Sequence, residues 1–227
     1  KTNDKPNARN AFLFCASNNS NASQKEVSQF NYAKLSYDLG YMDAALKGFR
    51  SFLTDHPQSK FSQEAKELLV STLANTSNYK DALSLYESLT GQSENTVKLY
   101  PRLLYGRSIE LINDQQITKA DELLTRIIQS PYNNQQLPYT YFWKGEIAYR
   151  KGDPGTAIGF LSNYLRNPLV NGEVNPANAR YSLAYSELKT ENYEAARGHF
   201  EQVAGSNVSS ASSAIEQDAY LRAADCY

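Results

Sequence analysis

The chain has 227 residues, of which 41% are hydrophobic and 21% are charged. These proportions are those of a folded globular protein and exclude an intrinsically disordered chain. Its 23 basic and 24 acidic residues are spread along the sequence and leave a formal net charge of −1. A non-specific nucleic-acid binder carries a basic excess, so we expect no nucleic-acid partner.

Residues 1–25 are predicted to form an N-terminal helix or cap followed by a polar linker. Within them, residues 6–16 are either a cap or the closing helix of an earlier repeat unit, and residues 17–23 are an Asn- and Ser-rich linker. The longest apolar runs of the chain have four or five residues, as in 11–15. A membrane-spanning helix needs roughly 20, so we expect no membrane span in this fragment.

From residue 26 onward one pattern recurs five times. A turn containing Gly, Asn or Asp is followed by an alanine, and the alanines are 37, 38, 37 and 39 residues apart: Ala45, Ala82, Ala120, Ala157 and Ala196. Large apolar residues follow each alanine four and seven positions later, such as Phe49 and Phe52 in the first copy. This spacing predicts an amphipathic helix after each turn.

A second helical segment precedes each turn and carries a small residue of its own. These small residues are Ala33, Val70, Gly106, Gly145 and Ala184. Small side chains let two helix axes cross closely, so each pair of segments is predicted to form an antiparallel hairpin. Gly106 and Ala120 are fourteen residues apart instead of twelve, which predicts an extended inner turn in the third hairpin.

The recurrence divides residues 26–227 into repeat units. Five full units are predicted at 26–60, 61–97, 98–136, 137–175 and 176–210, followed by a truncated sixth at 211–227. Residues 217–227 have the pattern of a first helix whose partner is missing, so we expect the chain to be a piece of a longer solenoid. No stretch alternates apolar and polar residues with period two, which makes a sheet unexpected.

This pattern resembles the tetratricopeptide repeat family, in which a small residue is followed by an alanine, an aromatic and often a closing proline. Pro57, twelve residues after Ala45, stands at the position of that proline. The resemblance implies an all-α fold, a right-handed alpha-alpha superhelix formed by a solenoid of antiparallel hairpins. Residues 56–61 are also similar to bacterial cell-envelope members, which implies the periplasm or cell envelope of a bacterium, with the cytoplasm as the alternative.

The sequence offers no residues from which to assemble a catalytic centre. His56 and His199 have no Cys or acidic partner at metal-ligand spacing, and no phosphate-binding loop or nucleophile motif is present. We therefore predict a protein that is not an enzyme and uses neither cofactor nor metal.

The resemblance implies that the first helix of each hairpin lines a concave, ligand-binding face. Carried over from the small residue of each first helix, that face contains Lys34, Tyr37, Ser71, Asn75, Arg107, Glu110, Tyr139, Phe142, Glu146, Tyr149, Arg150, Tyr181, Tyr185 and Lys189. Aromatic and basic side chains together suit recognition of a peptide.

The predicted function is accordingly that of a non-enzymatic scaffold that binds a protein or peptide, with its oligomeric state left open. Two alternatives stand beside it. In the first, the tyrosines serve packing between repeats, and the chain is a structural spacer or self-association module. In the second, they stack on a carbohydrate.

Overall fold

The structure is a computed structural model that describes residues 4–205 and 213–227. Apart from one isolated β-bridge between Asn171 and Val174, the regular structure of these residues is entirely helical, so the predicted all-α fold class is confirmed. The helices described are α1 (Lys5–Asn18), α2 (Ala22–Asp38), α3 (Met42–Asp55), α4 (Ser62–Asn75), α5 (Tyr79–Ser88), α6 (Glu94–Asn113), α7 (Ile117–Gln129), α8 (Leu137–Arg150), α9 (Pro154–Arg166), α10 (Pro176–Lys189), α11 (Tyr193–Ala204) and α12 (Ser213–Asp225). The predicted boundary between the fifth and sixth repeat units, at 210–211, lies outside the described residues.

Five turns join these helices in pairs, from α2–α3 to α10–α11. Each turn holds one residue with positive φ: Gly40 at 81°, Ser77 at 56°, Gln115 at 60°, Gly152 at 78° and Glu191 at 62°. In the first turn the N–H of Tyr41 donates to the carbonyl of Ser36 at 2.8 Å, and the other four turns make the corresponding bond. This arrangement satisfies carbonyls at the end of one helix and reverses the chain into the next.

The repeated alanines lie where the sequence predicts them. All five are completely buried, and the apolar residues four and seven positions later are buried with them. Gly145 shows why the facing position must be small, because a Cβ atom there would lie 2.5 Å from Cγ of Leu161. The predicted amphipathic stripe of the second helices is confirmed.

The third hairpin corrects the predicted register. Its turn is not extended, because α6 ends at Asn113 and α7 begins at Ile117, leaving the same short turn as in the other pairs. The buried small residue seven positions before Gln115 is Ser108, as Ala33 is before Gly40. Gly106 has another role, since a Cβ there would lie 2.4 Å from the ring of Tyr79 on α5.

The chain divides into two compact units, residues 1–107 and 108–227. In the N-terminal unit α1 packs on α2, where Arg9 donates to Oγ of Ser36 at 2.8 Å and Lys5 pairs with Asp38 at 2.9 Å. The predicted linker at 17–23 is much shorter in the structure, because α1 extends to Asn18 and α2 begins at Ala22.

In the C-terminal unit the helices from α7 to α12 pack in sequence order, each against the next. The core of the last three helices includes the fully buried Ala184, Phe200 and Ala219. Across both units, no helix in the described part of the chain is long and apolar enough to cross a membrane.

Candidate functional site

A cleft in the C-terminal unit brings together side chains from α8, α10 and α12 and from the loop before α10. It has a volume of about 360 Å³, and we call it the α8–α10 cleft. Its lining consists of Phe142, Trp143, Glu146, Tyr149, Arg150, Glu173, Asn178, Tyr181, Ser182 and Ile215. Five of the residues predicted for a binding face therefore converge at one place.

The loop between α9 and α10 holds its shape through its own hydrogen bonds. The hydroxyl of Tyr164 donates to the carbonyl of Leu169 at 2.8 Å, and burial raises the pKa of Tyr164 to about 12, so the phenol keeps its proton. Asn175 is buried and caps α10 by accepting the N–H of Asn178 at 2.9 Å. These contacts fix the loop that carries Glu173, whose exposed side chain lies at the rim of the cleft.

Phe142 forms the floor of the cleft and is not an accessible binding residue. Only 2% of it is exposed, and its ring packs edge-on against Trp143 and Tyr164 with centroids 5.3 and 5.5 Å apart. The prediction that it presents its side chain to a ligand is wrong. The side chain of Phe142 faces the hairpin core, where its ring fills the space between α8 and α9.

Glu146 is one of two cleft residues with a buried polar atom that has no hydrogen-bond partner among the described residues, the other being Trp143 at Nε1. In Glu146 that atom is Oε1. Burial raises the pKa of this carboxyl; the hydroxyl of Ser182 and the charge of Arg150 lower it, and the negative charge of Glu173 raises it further. Burial prevails because desolvation penalises the ionised carboxylate.

A group of aromatic rings adjoins the cleft. Tyr149 and Tyr185 have centroids 6.5 Å apart, Tyr181 and Tyr185 meet edge-on at 5.0 Å, and Nζ of Lys189 lies 4.4 Å from the centroid of Tyr149. All three tyrosines are half-buried, so each offers part of a ring to the surface. Lys189, which is exposed, makes a cation–π contact of the usual geometry.

A single carboxylate on helix α12 accepts hydrogen bonds from two of these tyrosines. The hydroxyls of Tyr181 and Tyr185 donate to Oδ2 of Asp218 at 2.7 and 2.5 Å. These two hydrogen bonds, that of Tyr185 first, lower the pKa of Asp218 and keep it ionised. The two hydroxyls are thus already hydrogen-bonded within the protein. Tyr181 and Tyr185 can therefore offer only their ring faces to a ligand.

The other predicted residues of the C-terminal unit are more dispersed. Tyr139 lies close enough to Tyr164 on α9 to raise the pKa of that phenol, after the larger effect of burial. Glu110 lies half-buried on α6. With Ser108 as the small residue of the third hairpin, the positions that correspond to Glu146 and Tyr149 are Ile109 and Ile112.

The predicted assignment of Arg107 and Glu110 to the same face as Glu146 is therefore wrong by two residues. A displacement of two residues rotates a side chain by roughly 200° about a helix axis, since a turn takes 3.6 residues. Both residues lie on α6, where Arg107 is assigned to the N-terminal unit and Glu110 to the C-terminal one.

In the N-terminal unit, two of the predicted residues, Tyr37 and Ser71, line another cleft of about 610 Å³. Lys34 pairs with Glu64 at 2.6 Å. Glu67 accepts hydrogen bonds from Ser93, and from Thr96 at 2.7 Å. Burial tends to raise the pKa of Glu67, but these bonds outweigh it and lower the value. The polar groups of this cleft are therefore largely satisfied by one another.

Asn75, also predicted on this face, accepts a hydrogen bond from Arg102 of α6 at 3.2 Å. Over residues 4–205 and 213–227, no three His, Cys, Asp or Glu side chains converge in a way that could hold a metal ion.

The sequence pattern missed Glu173, Asn178, Ser182 and Asp218 as neighbours of the predicted residues. Asn178 and Ser182 could have been identified from the sequence, because they lie three residues before and one residue after Tyr181 on the same helix. Glu173 and Asp218 could not have been. Their positions depend on a loop conformation and on the packing of α12, which no local spacing encodes.

The sequence matches no protein-family model, and no curated protein matches it significantly. Three solved structures to which the chain is similar are those of tetratricopeptide repeat proteins. The thermophilic protein TTC0263 of Thermus thermophilus is 17% identical, over 88% of this chain and 98% of that one, with a TM-score of 0.34.

A tetratricopeptide repeat protein of Parabacteroides merdae is 14% identical over 97% of this chain and 79% of that one, with a TM-score of 0.42. The TPR domain of P58(IPK) is 14% identical over 98% and 65%, with a TM-score of 0.47. All three TM-scores lie below 0.5, so the hairpin architecture stands on the chain's own turns and helix packing. The turns and the helix packing make the chain an all-α protein of repeated helical hairpins.

Proposed function

We propose that this chain is a non-enzymatic module that binds a segment of another protein through the α8–α10 cleft and the adjoining tyrosines. The observation that carries the proposal is the convergence of aromatic and charged side chains at one opening of about 360 Å³. Clefts of this size, apolar at the floor with a few polar groups at the wall, are where ligands are commonly held.

The chemistry of the surface suits a peptide. Tyr149, Tyr181 and Tyr185 are held by neighbours before any ligand arrives, so binding them costs little side-chain entropy. Aromatic side chains are also among the residues that contribute most to protein interfaces. Arg150 and Lys189 supply exposed charge at the edge of the same surface.

A structural spacer or self-association module is the second candidate, and one observation favours it. Asp218 occupies the hydroxyls of Tyr181 and Tyr185, which is what packing between successive repeat units requires. On that account the tyrosines stabilise the contact between α10 and α12 and need no external ligand.

A random dodecapeptide library displayed on phage separates the two candidates. The test variant is Tyr149→Ala with Lys189→Ala, which removes a half-buried ring and an exposed charge but leaves the edge-on packing of Tyr185 on Phe200, with centroids 5.1 Å apart. The matched control is Tyr193→Ala with Lys119→Ala, an exposed tyrosine and lysine elsewhere in the C-terminal unit.

Binding peptides that lose affinity for the test variant at least tenfold, and keep it for the control, support the proposal. If the library yields no binder, or if both variants bind alike, the proposed site is wrong. Thermal denaturation of both variants establishes that they fold.

A further inference from the structure

We propose that the α8–α10 cleft recognises one basic side chain, a lysine or an arginine, of the bound segment, with the carboxylate of Glu146 as its counter-charge. This inference rests on the proposed function and specifies the chemistry of its partner. It follows from the position of Glu146, the charges around it and the rings at the mouth of the cleft.

The carboxyl of Glu146 is only partly paired, through the hydroxyl of Ser182 and the charge of Arg150. Its carboxyl lines the cleft, yet Oε1 is shut off from solvent and accepts no hydrogen bond from the residues described. Burial raises its pKa, so in the free protein the carboxyl resists ionisation. An ionised carboxylate in such a place is costly until a cation pairs with it.

The charges around the carboxyl leave room for a cation. Glu173 stands at the rim and adds negative charge, while Arg150 supplies the positive charge that acts on Glu146. Arg150 is itself exposed at the end of α8, so solvent weakens its effect on the buried carboxyl. Within the lining itself, two carboxyl groups stand against one solvated guanidinium, and the exposed Lys189 lies outside that lining, over the ring of Tyr149.

The rings at the mouth favour the same class of ligand. Lys189 places its ammonium group 4.4 Å from the centroid of Tyr149, so the face of this ring is accessible to a cation at cation–π distance. Tyr181 lines the cleft with Tyr149, so the stem of a long basic side chain would pass between aromatic surfaces. The aliphatic stems of lysine and arginine pack well on apolar surface while the charged group pairs with a carboxylate.

The size of the cleft sets the extent of this recognition. A volume of about 360 Å³ is at the lower end of ligand pockets, which suits one long side chain and not a whole helix. The remaining contacts of the segment then lie on Tyr185 and the surface around it.

Peptides selected on the wild-type protein test the inference. The selected sequences are synthesised with acetylated N-termini, so that only side chains carry positive charge, and their affinities are measured by isothermal titration calorimetry. In each, the basic residue is replaced in turn by norleucine, which keeps the length of lysine without its charge, and by the other basic residue. The last exchange decides between lysine and arginine.

The protein variants are Glu146→Gln, Glu173→Gln and Arg150→Gln. We expect selected peptides to be enriched in Lys or Arg, and norleucine to weaken binding at least tenfold. Glu146→Gln should also weaken it at least tenfold, whereas Arg150→Gln should leave it unchanged or strengthen it. Should Glu146→Gln fail to fold, Glu173→Gln at the exposed rim still tests the charge effect, with an expected loss of about threefold.

The outcomes distinguish the inference from the proposed function. Binders without basic residues, or binders indifferent to norleucine or to the glutamate variants, overturn the inference while the cleft remains a peptide site. Binding weakened by Arg150→Gln indicates an acidic ligand and also overturns it. A library that yields no binder at all removes both.

Discussion

Gly145 offers the sharpest test of how the helical hairpins are packed. In Gly145→Ala the new Cβ atom would lie 2.5 Å from Cγ and 2.7 Å from Cδ2 of Leu161, and 3.3 Å from its backbone nitrogen. Leu161 is completely buried, so its side chain has no free space to enter. Helices α8 and α9 must therefore move apart.

The magnitude follows from two opposing effects. Overpacking of a filled core costs roughly 1–3 kcal/mol. Alanine gains back up to about 1 kcal/mol, because glycine is the poorer helix former. We expect Gly145→Ala to lower the free energy of unfolding by up to about 2 kcal/mol as the net of these effects.

Gly159 in α9 is the matched control, since a Cβ there meets nothing within 4 Å. Gly159→Ala should raise the free energy of unfolding by about 0.5–1 kcal/mol through helix propensity alone. Urea denaturation followed by circular dichroism measures both variants. If Gly145→Ala proves as stable as Gly159→Ala, the close crossing of α8 and α9 is refuted.

Three further predictions concern the C-terminal unit. Glu191→Gly should raise the free energy of unfolding by about 1 kcal/mol in urea denaturation, because Glu191 has a φ of 62° that strains any residue with a Cβ; an unchanged value would contradict this. Glu187 is buried near His199 (3.7 Å), and burial raises its pKa to about 7 from the ordinary 4.5. The folded state then holds a proton that the unfolded state loses, so Glu187 contributes a fall in melting temperature from pH 5 to pH 8, opposed by a rise from His199, whose pKa burial lowers. Glu187→Gln should reduce that fall, whereas the exposed Glu194→Gln should leave it as in wild type. Asp218→Asn should lower the free energy of unfolding by about 1–2 kcal/mol, since it weakens two hydrogen bonds to a charged acceptor; equal stability would show that α12 is held by apolar contacts alone.

The repeated hairpins could be predicted from the sequence because their determinants are local. The alanine five residues after each left-handed turn residue, and the apolar positions that follow it, recur at fixed spacing and are all buried. The turns themselves were predictable even where the left-handed residue is not glycine, as at Gln115. The signal there is the whole turn, which separates two periodic segments.

The register of the third hairpin could not be read correctly because Gly106 is small for a different reason. It accommodates the ring of Tyr79 from the preceding helix, whereas Ser108 makes the crossing that alanine or glycine makes elsewhere. A serine gives little sign of such a role. Arg107 and Glu110 were assigned to the predicted face by counting from Gly106, so they were placed on the wrong side of α6.

The candidate site was predictable in its helices but not in its chemistry. Glu146, Tyr149 and Tyr181 follow from the repeat spacing, and the cleft unites them. Phe142 was misplaced because spacing alone does not tell an aromatic in the core from one at the surface. The unpaired oxygen of Glu146 and the approach of Glu173 arise from tertiary packing, to which a single sequence gives no guide.

Chemical-shift mapping tests most directly the central claim, that ligand binding occurs at the α8–α10 cleft. The strongest library peptide is titrated into ¹⁵N-labelled protein, and amide shifts are followed by transverse-relaxation-optimised spectroscopy. We predict the largest changes near Glu146, Tyr149 and Ser182, all abolished in parallel by Tyr149→Ala with Lys189→Ala. Changes confined to the N-terminal unit, or to α11 around Tyr193, would contradict the account.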